Sequence, residues 1–289
     1  VPLLTTPAVV RLYVGFELQR LREAAGKSQP EAGKAIDTSK AKISHFESGR
    51  NLPSLLEAEA LLKFYGAPHL VDVIADLIVQ AREAKSTFDL NPDLELAPGF
   101  SLYVGVEQGA STVFTYDATL FMGILHSRRY AEATVRGVLG EAVSDDHVAG
   151  LVDLRMRRQV ALDRADNPLH VTAVINQGVL HQQFGGVDVA AEQLDYLLTM
   201  AERDNVSLRV LPFSAGAHPA VHGPFTRLEF PVPGDFGLVY TEDLTGGRFH
   251  DDTGVVDRYT QAGARLLELA LSEGQSLSMI RTARKEMTR

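Results

Sequence analysis

The chain has 289 residues, 45% of them hydrophobic, no cysteine, and a net charge of −9 from 28 Lys and Arg against 37 Asp and Glu. That length suits about two domains and a sizeable core. The lack of Cys excludes a disulfide framework, a cysteine zinc site and a cysteine nucleophile, and no apolar run approaches the ~18 residues of a membrane-spanning helix.

Residues 1–10 are apolar without the basic start and cleavage pattern of a signal peptide, so they read as the tail of a cytoplasmic protein. Val14, Leu18, Leu21 and Ala25 recur at helical spacing and predict a helix ended by Gly26. Ser28 and Glu31 form a capping box for a second helix, and Ser39 caps a third. Between these two, Ile36-Asp37-Thr38 has room only for a turn, and Asp tolerates the left-handed backbone such a turn needs. The third helix, about Lys40 to Ser48, turns Ile43 and Phe46 to one face and Lys40, Ala41, Ser44 and His45 to the other. A second capping box, Ser54 to Glu57, opens a helix that stops at Gly66, and Pro68 is expected to begin a fifth with Leu70, Ile74, Leu77 and Ala81 on one side. Residues 1–85 thus read as an all-α domain of five helices.

Two short helices joined by a tight turn, the second apolar behind and polar in front, make a helix-turn-helix that can lie in the DNA major groove. The net charge argues against DNA, but residues 11–50 hold eight basic and five acidic side chains, a local +3 on an otherwise acidic protein. Such a face still leaves a phosphate footprint. Lys40, Ala41, Ser44 and His45 are the candidate base readers, since Lys and His can donate to guanine and Ala can touch a thymine methyl. Lys42, Arg50 and Gln29 are candidates for the backbone, and Ser28 and Ser39 at the two helix starts complete the DNA-binding set. The alternative is two helices of an ordinary bundle; capping, turn length and the Ile/Phe seam together favour the helix-turn-helix.

Gln29, Glu31, Ile43, Glu47, Gly49, Arg50 and Pro53 resemble the motif of the XRE (Cro/cI-type) repressors. Asp37 stands where the family's turn has Gly, Ala32 where it has Leu and Gly33 where it has Ala; none of these removes the DNA-facing surface.

Residues 86–99 hold two Pro, no basic residue and no helical period, and read as a linker. Residues 100–289 alternate. Helices are expected over 100–110, 128–139, 146–163, 189–204, 255–272 and 276–287, and strands over 111–117, 169–175, 206–211, 225–230, 237–241 and 248–250. The whole is α+β: the all-α helix-turn-helix domain followed by a mixed α+β domain around one sheet.

Val206 to Pro219, with its LPFSAGAHP run, resembles the signature of the uncharacterised C-terminal domain of actinobacterial antitoxin-like XRE regulators. Phe225 to Pro231, Val239 to Gly246 and Phe121 to Ala131 are similar to further segments of it, with Met122 in place of Pro and His126 in place of Gln. The resemblance implies a transcriptional regulator, in a family where such proteins are often paired with a small partner protein.

His218, His222, Glu242, Asp243, His250, Asp251 and Asp252 could tempt a metal assignment, but Pro219 and Gly223-Pro224 speak against the helix that His218 and His222 would need. No G-x-S-x-G surrounds Ser214, so it is no nucleophile elbow. No metal, cofactor or enzyme activity is expected. A small-ligand or partner pocket is expected instead from Met122, His126, Ser214, His218, His222, Phe225, Tyr240, Glu242 and Asp243. Asp153, Arg155, Arg157, Arg158, Asp163, Arg164 and Asp166 read as a solvated charged face. The expected protein is a homodimeric regulator on an inverted-repeat operator; the alternative is an antitoxin-like protein that binds a small partner and regulates its own operon.

Overall fold

The computed structural model describes residues 6–84, 94, 96, 99–140, 143–232 and 236–288. Most of the segment read as a linker, and residues 1–5 of the expected tail, lie outside them. The chain divides into two compact units.

The first unit takes residues 1–89 together with 108–110 and 230–236. Its helices are α1 (Pro7–Ala24), α2 (Gln29–Ala35), α3 (Lys40–Glu47), α4 (Leu55–Phe64) and α5 (Val71–Glu83). The first helix begins well before the expected Val14, because Thr6 is its N-cap and Pro7 its first residue. Residues 7–10 are therefore helix, not tail, and bury Val9 and Val10. Pro68 does not open the fifth helix directly; Pro68–Leu70 forms a single 3-10 turn and α5 starts at Val71. Val14, Leu18, Ile43, Phe46, Leu61, Leu62, Ile74 and Ile78 fill the core. At Gly15, α1 runs so close to the end of α3 that a Cβ would stand 2.5 Å from the Phe46 carbonyl oxygen. Phe236 closes one side, with its ring 5.7 Å from Tyr13 and 5.2 Å from Phe16.

The second unit holds α6 (Phe100–Glu107), α7 (Arg128–Leu139), α8 (Asp145–Arg158), α9 (Val187–Met200), α10 (Thr253–Leu269) and α11 (Glu273–Met287). Its strands are β1 (Thr112–Asp117), β2 (His170–Asn176), β3 (Val206–Leu211), β4 (Phe225–Glu229), β5 (Gly237–Asp243) and β6 (Gly246–His250). They form one mixed sheet in the order β3-β2-β1-β4-β5-β6, as expected from the alternating pattern. β1, β2 and β3 are parallel, joined through α7 and α8 and then through α9. β4 runs antiparallel beside β1, and β4, β5 and β6 form a meander.

Strand alternation sends Phe114 and Tyr116 to one face and Val113, Thr115 and Asp117 to the other. The first face packs with Val174, Phe225, Val239 and Leu266 under α10. Gly263 lets that helix come down onto the sheet, since a Cβ there would meet the Phe114 ring at 3.1 Å. At the β3 edge, Leu271 N–H donates to the Val210 carbonyl and Val210 N–H to Ser276 Oγ, so the start of α11 satisfies a strand edge.

The charged stretch at the end of α8 is not a solvated face throughout. Arg158 is 2% exposed and its guanidinium clasps the fully buried Glu107 carboxylate of α6 at 2.6 and 2.8 Å. Phe100 and Tyr103 cover that guanidinium, with ring centres 5.4 and 5.3 Å away. Burying an ion pair costs less when both partners are fully hydrogen-bonded, and Tyr103 adds a third donor to Glu107 at 2.9 Å.

Candidate nucleic-acid interface and C-terminal pocket

Helix α3 is fixed at its start by Ser39, whose Oγ accepts the Lys42 N–H at 3.2 Å. The turn before it is closed by the Thr38 N–H to the Gly33 carbonyl at 2.8 Å, with Asp37 at φ 52, the left-handed backbone expected of it. Ser28 completes its capping box on Glu31. Ile43 and Phe46 anchor the back of the helix. Glu47, also buried there, accepts Arg22 Nε at 2.6 Å, Arg22 Nη2 at 3.0 Å and Gln29 Nε2 at 2.8 Å. One carboxylate therefore ties α1, α2 and α3 together and sets the angle at which the front of α3 is presented. Its hydrogen bonds to Glu47 hold the Arg22 guanidinium above its ordinary pKa.

On the front, Lys40 and Ala41 are exposed and Ser44 and His45 half-buried, four positions that share one side of a helix. Arg50 stands beside them, Nη1 3.2 Å from His45 Nε2. An arginine only donates, so that contact needs Nε2 unprotonated and the proton on Nδ1. Two candidates are drawn aside. Gln29 is turned to Glu47, and the Lys42 ammonium lies 2.5 Å from Glu57 Oε1 and 5.6 Å from the centre of the Phe46 ring. Burial pushes the Glu57 carboxyl up, but Lys42 and the Ser54 cap outweigh it and hold it below the usual range. The sequence reading gave Glu57 only its capping role and Arg22 none beyond its charge; their tertiary partners Lys42 and Glu47 reveal the rest.

In the second unit, a cavity of about 670 Å³ opens between α10, the 219–225 loop and the β5–β6 hairpin. Of the nine residues read as a pocket, His222, Phe225, Glu242 and Asp243 line it. Arg248, His250, Arg258 and Tyr259 join them, which the sequence reading had not placed there. Phe225 and Tyr259 pack with ring centres 4.9 Å apart, His250 lies over Tyr259 at 6.2 Å, and His250 Nε2 is 3.1 Å from Thr241 Oγ1.

The other expected pocket residues lie apart. His126 is completely buried with Nε2 2.8 Å from the Phe121 carbonyl, and burial, with Arg155 nearby, pushes its pKa down to about 3. Met122 is buried and its N–H donates to Asp117 Oδ2 at 2.9 Å. Ser214 sits exposed in the 3-10 turn Phe213–Ala215. His218 rests edge-on against Tyr116, Nε2 3.3 Å from its hydroxyl. Tyr240 points away from its neighbours Val239 and Thr241 and packs on Tyr103 and Phe249, with ring centres 4.3 and 5.1 Å away. Among the described residues, no three His, Asp or Glu side chains gather as metal ligands.

Residues 14–73 match the family described as Helix-turn-helix domain, and residues 100–282 match the Domain of unknown function (DUF5753). No curated protein and no solved structure matches the chain. No helix among the described residues is long and apolar enough to cross a membrane. The first match agrees with the two-helix unit described above and points to a DNA-binding regulator. The second spans more than half of the sequence, so the chain belongs to the family of the Domain of unknown function (DUF5753), carried here behind a helix-turn-helix domain.

Proposed function

We propose that the chain is a sequence-specific transcriptional regulator of the XRE type, acting in the cytoplasm as a homodimer, whose C-terminal unit adds dimer contacts and senses a small ligand or partner. The observation that carries this reading is the outward face of α3, where Lys40, Ala41, Ser44, His45 and Arg50 stand together while Ile43, Phe46 and Glu47 fix the helix from behind. Lys40 and His45 fit guanine edges and Ala41 a thymine methyl, with Arg50 and Lys42 at phosphates. One such head reads few base pairs, and two placed one DNA turn apart, ~34–36 Å, call for an inverted repeat. Exposed Val73 and Val79 on α5 are two apolar contact points for a second copy. The C-terminal unit, in this reading, binds and carries out no reaction.

Selection of an operator from random duplexes, followed by binding of three variants, tests the proposal. Lys40→Ala and His45→Ala should each cost about 1–3 kcal/mol and relax preference at one base pair. Arg50→Ala should weaken all sequences alike and lower the salt slope by about one. Wild-type binding by all three would sink the reading.

A second reading makes the chain antitoxin-like, holding a small partner protein and regulating its own operon. Exposed Phe213 and Val221, in and just after the segment with the LPFSAGAHP run, favour it. Recovery of a stoichiometric small protein with the chain from its native host would put this reading first.

A further inference from the structure

We propose that the cavity beside α10 binds a small organic acid, with an apolar planar body against Phe225 and Tyr259 and its oxyanion on Arg258. This deepens the regulator reading by naming the class of effector, and it rests on that reading for any consequence at DNA. The cavity's volume, about 670 Å³, falls within the range of small-molecule sites, ~300–1,000 Å³.

The shape of α10 explains how the site arises. Val255, Arg258, Tyr259 and Ala262 all line the cavity and follow one another at the spacing of a single helix face. Further along, Gly263 and Leu266 press onto the sheet. The helix thus spends its C-terminal half on the core and holds its N-terminal half over an opening. Arg258 lies in the middle of that otherwise apolar stripe. Phe225, Ala220 and the two prolines of the 219–225 loop face it from the other side.

The charges decide the ligand's sign. Asp243 is engaged by Arg248 at 3.1 Å and by the Thr245 N–H at 2.7 Å. Burial pushes the Glu242 carboxyl above its ordinary pKa against the pull of Arg155 and Arg158, so it opposes an anion less than a free carboxylate would. Arg258 has no ion-pair partner among the described residues. The side chains left to meet a ligand are therefore a guanidinium, which binds carboxylates through two parallel hydrogen bonds, and the imidazoles of His222 and His250. A base would meet the same apolar walls but find Asp243 already engaged and the charge on Glu242 disfavoured by burial.

The test uses the full chain and three matched probes, 1-naphthoate, 1-naphthamide and 1-naphthylmethylamine, with octanoate and octanamide as an aliphatic pair, followed by calorimetry and ligand-observed NMR. At least one acid should bind about ten-fold tighter than its amide, a difference that Arg258→Gln abolishes. Val255→Trp, which fills the mouth from a partly exposed position, should remove binding of acid and amide alike while far-UV circular dichroism stays unchanged. Equal binding of acid and amide, tighter binding of the amine, an unaffected Arg258→Gln variant, or no saturable binding of any probe at millimolar concentration would overturn the proposal. Operator binding is measured on the same preparations. An operator bound without any acid site sinks only the pocket, and an acid site without an operator sinks only the regulator.

Discussion

Each of the two units is built on a buried arginine–glutamate pair, and the pairs do different work. Arg22 and Glu47 join α1 to α3 at 2.6 Å, with Gln29 as a further donor from α2. That carboxylate sits directly behind the face proposed to meet DNA, so its job is to aim a surface. Arg158 and Glu107 join α8 to α6 at 2.6 Å, roofed by Phe100 and Tyr103. Tyr240 packs on Tyr103 of that roof, away from the cavity beside α10, and the pair belongs to the interior itself. A buried charge can thus serve orientation in one unit and cohesion in the other, and substitutions should tell the two apart.

The largest effect is expected at the deeper pair. Glu107→Gln leaves a guanidinium buried beside a neutral amide and should cost about 3–5 kcal/mol, read from urea denaturation of the full chain. The double variant Glu107→Leu, Arg158→Met should recover most of that loss, because two apolar groups leave no charge stranded. A cost below about 1 kcal/mol for the single variant would show that water reaches the pair.

Glu47→Gln is the counterpart and should cost less, about 1.5–3 kcal/mol, the worth of hydrogen bonds to a charged group. Its distinguishing mark is where the loss appears. Hydrogen exchange should quicken in α1 to α3, and operator affinity should fall further than stability does. Equal losses in both would remove the orienting role.

The C-terminal unit also carries two buried titratable groups of opposite sense. Burial raises the Asp117 pKa from 3.8 to about 7, against the pull of donors from Thr115 and Met122. The folded chain keeps a proton there that the unfolded chain releases, so this contribution is full below pH 3.8 and is lost as the pH rises to about 7. Burial lowers the His126 pKa from 6.5 to about 3, so its contribution is full above pH 6.5 and is lost as the pH falls to about 3. Between these limits the two slopes oppose each other. Asp117→Asn leaves His126 alone, and stability should then rise by about 1.4 kcal/mol per pH unit between pH 3.8 and 6.5. A flat profile in that variant would show that His126 is not held neutral by its surroundings.

The contrast between the units also governs how much the sequence disclosed. In the first unit the signals are local. Ser28 with Glu31, Ser39, and Ser54 with Glu57 each announce a helix start, and all three caps form. The start of α1 was equally local, since Thr6-Pro7 is an N-cap followed by its favoured first residue, but the apolar run around it read as a tail. In the second unit the mixed sheet followed from alternation, whereas the pocket did not. Tyr240 was grouped with its sequence neighbours although a strand turns successive side chains to opposite faces. His126 was grouped with the pocket, yet it is completely buried with Nε2 at the Phe121 carbonyl. Arg258 reaches the pocket only because α10 crosses the sheet over Gly263, a placement set by tertiary packing. Arg158 looked solvated because its partner Glu107 lies 51 residues away, beyond the reach of any helical spacing.

The smallest expected effect concerns the one recognition-helix cation that is paired with a carboxylate. Lys42 and Glu57 have side chains 46% and 22% exposed, and a pair that open to water is worth only ~0.2–1 kcal/mol. Lys42 can therefore exchange Glu57 for a DNA phosphate at little cost. Glu57 also caps α4 through the Ser54 N–H at 2.8 Å, and a glutamine can keep that bond while losing the charge. Glu57→Gln should leave stability within about 0.5 kcal/mol and tighten binding to DNA of any sequence by about two- to five-fold, the equivalent of the lost surface pair. The gain should shrink as salt screens it, and it should vanish in a Lys42→Ala background. If Glu57→Gln binds DNA no better than wild type while Lys42→Ala binds worse, Lys42 reaches phosphate without leaving Glu57, and the pair is a fixed part of the DNA-facing surface.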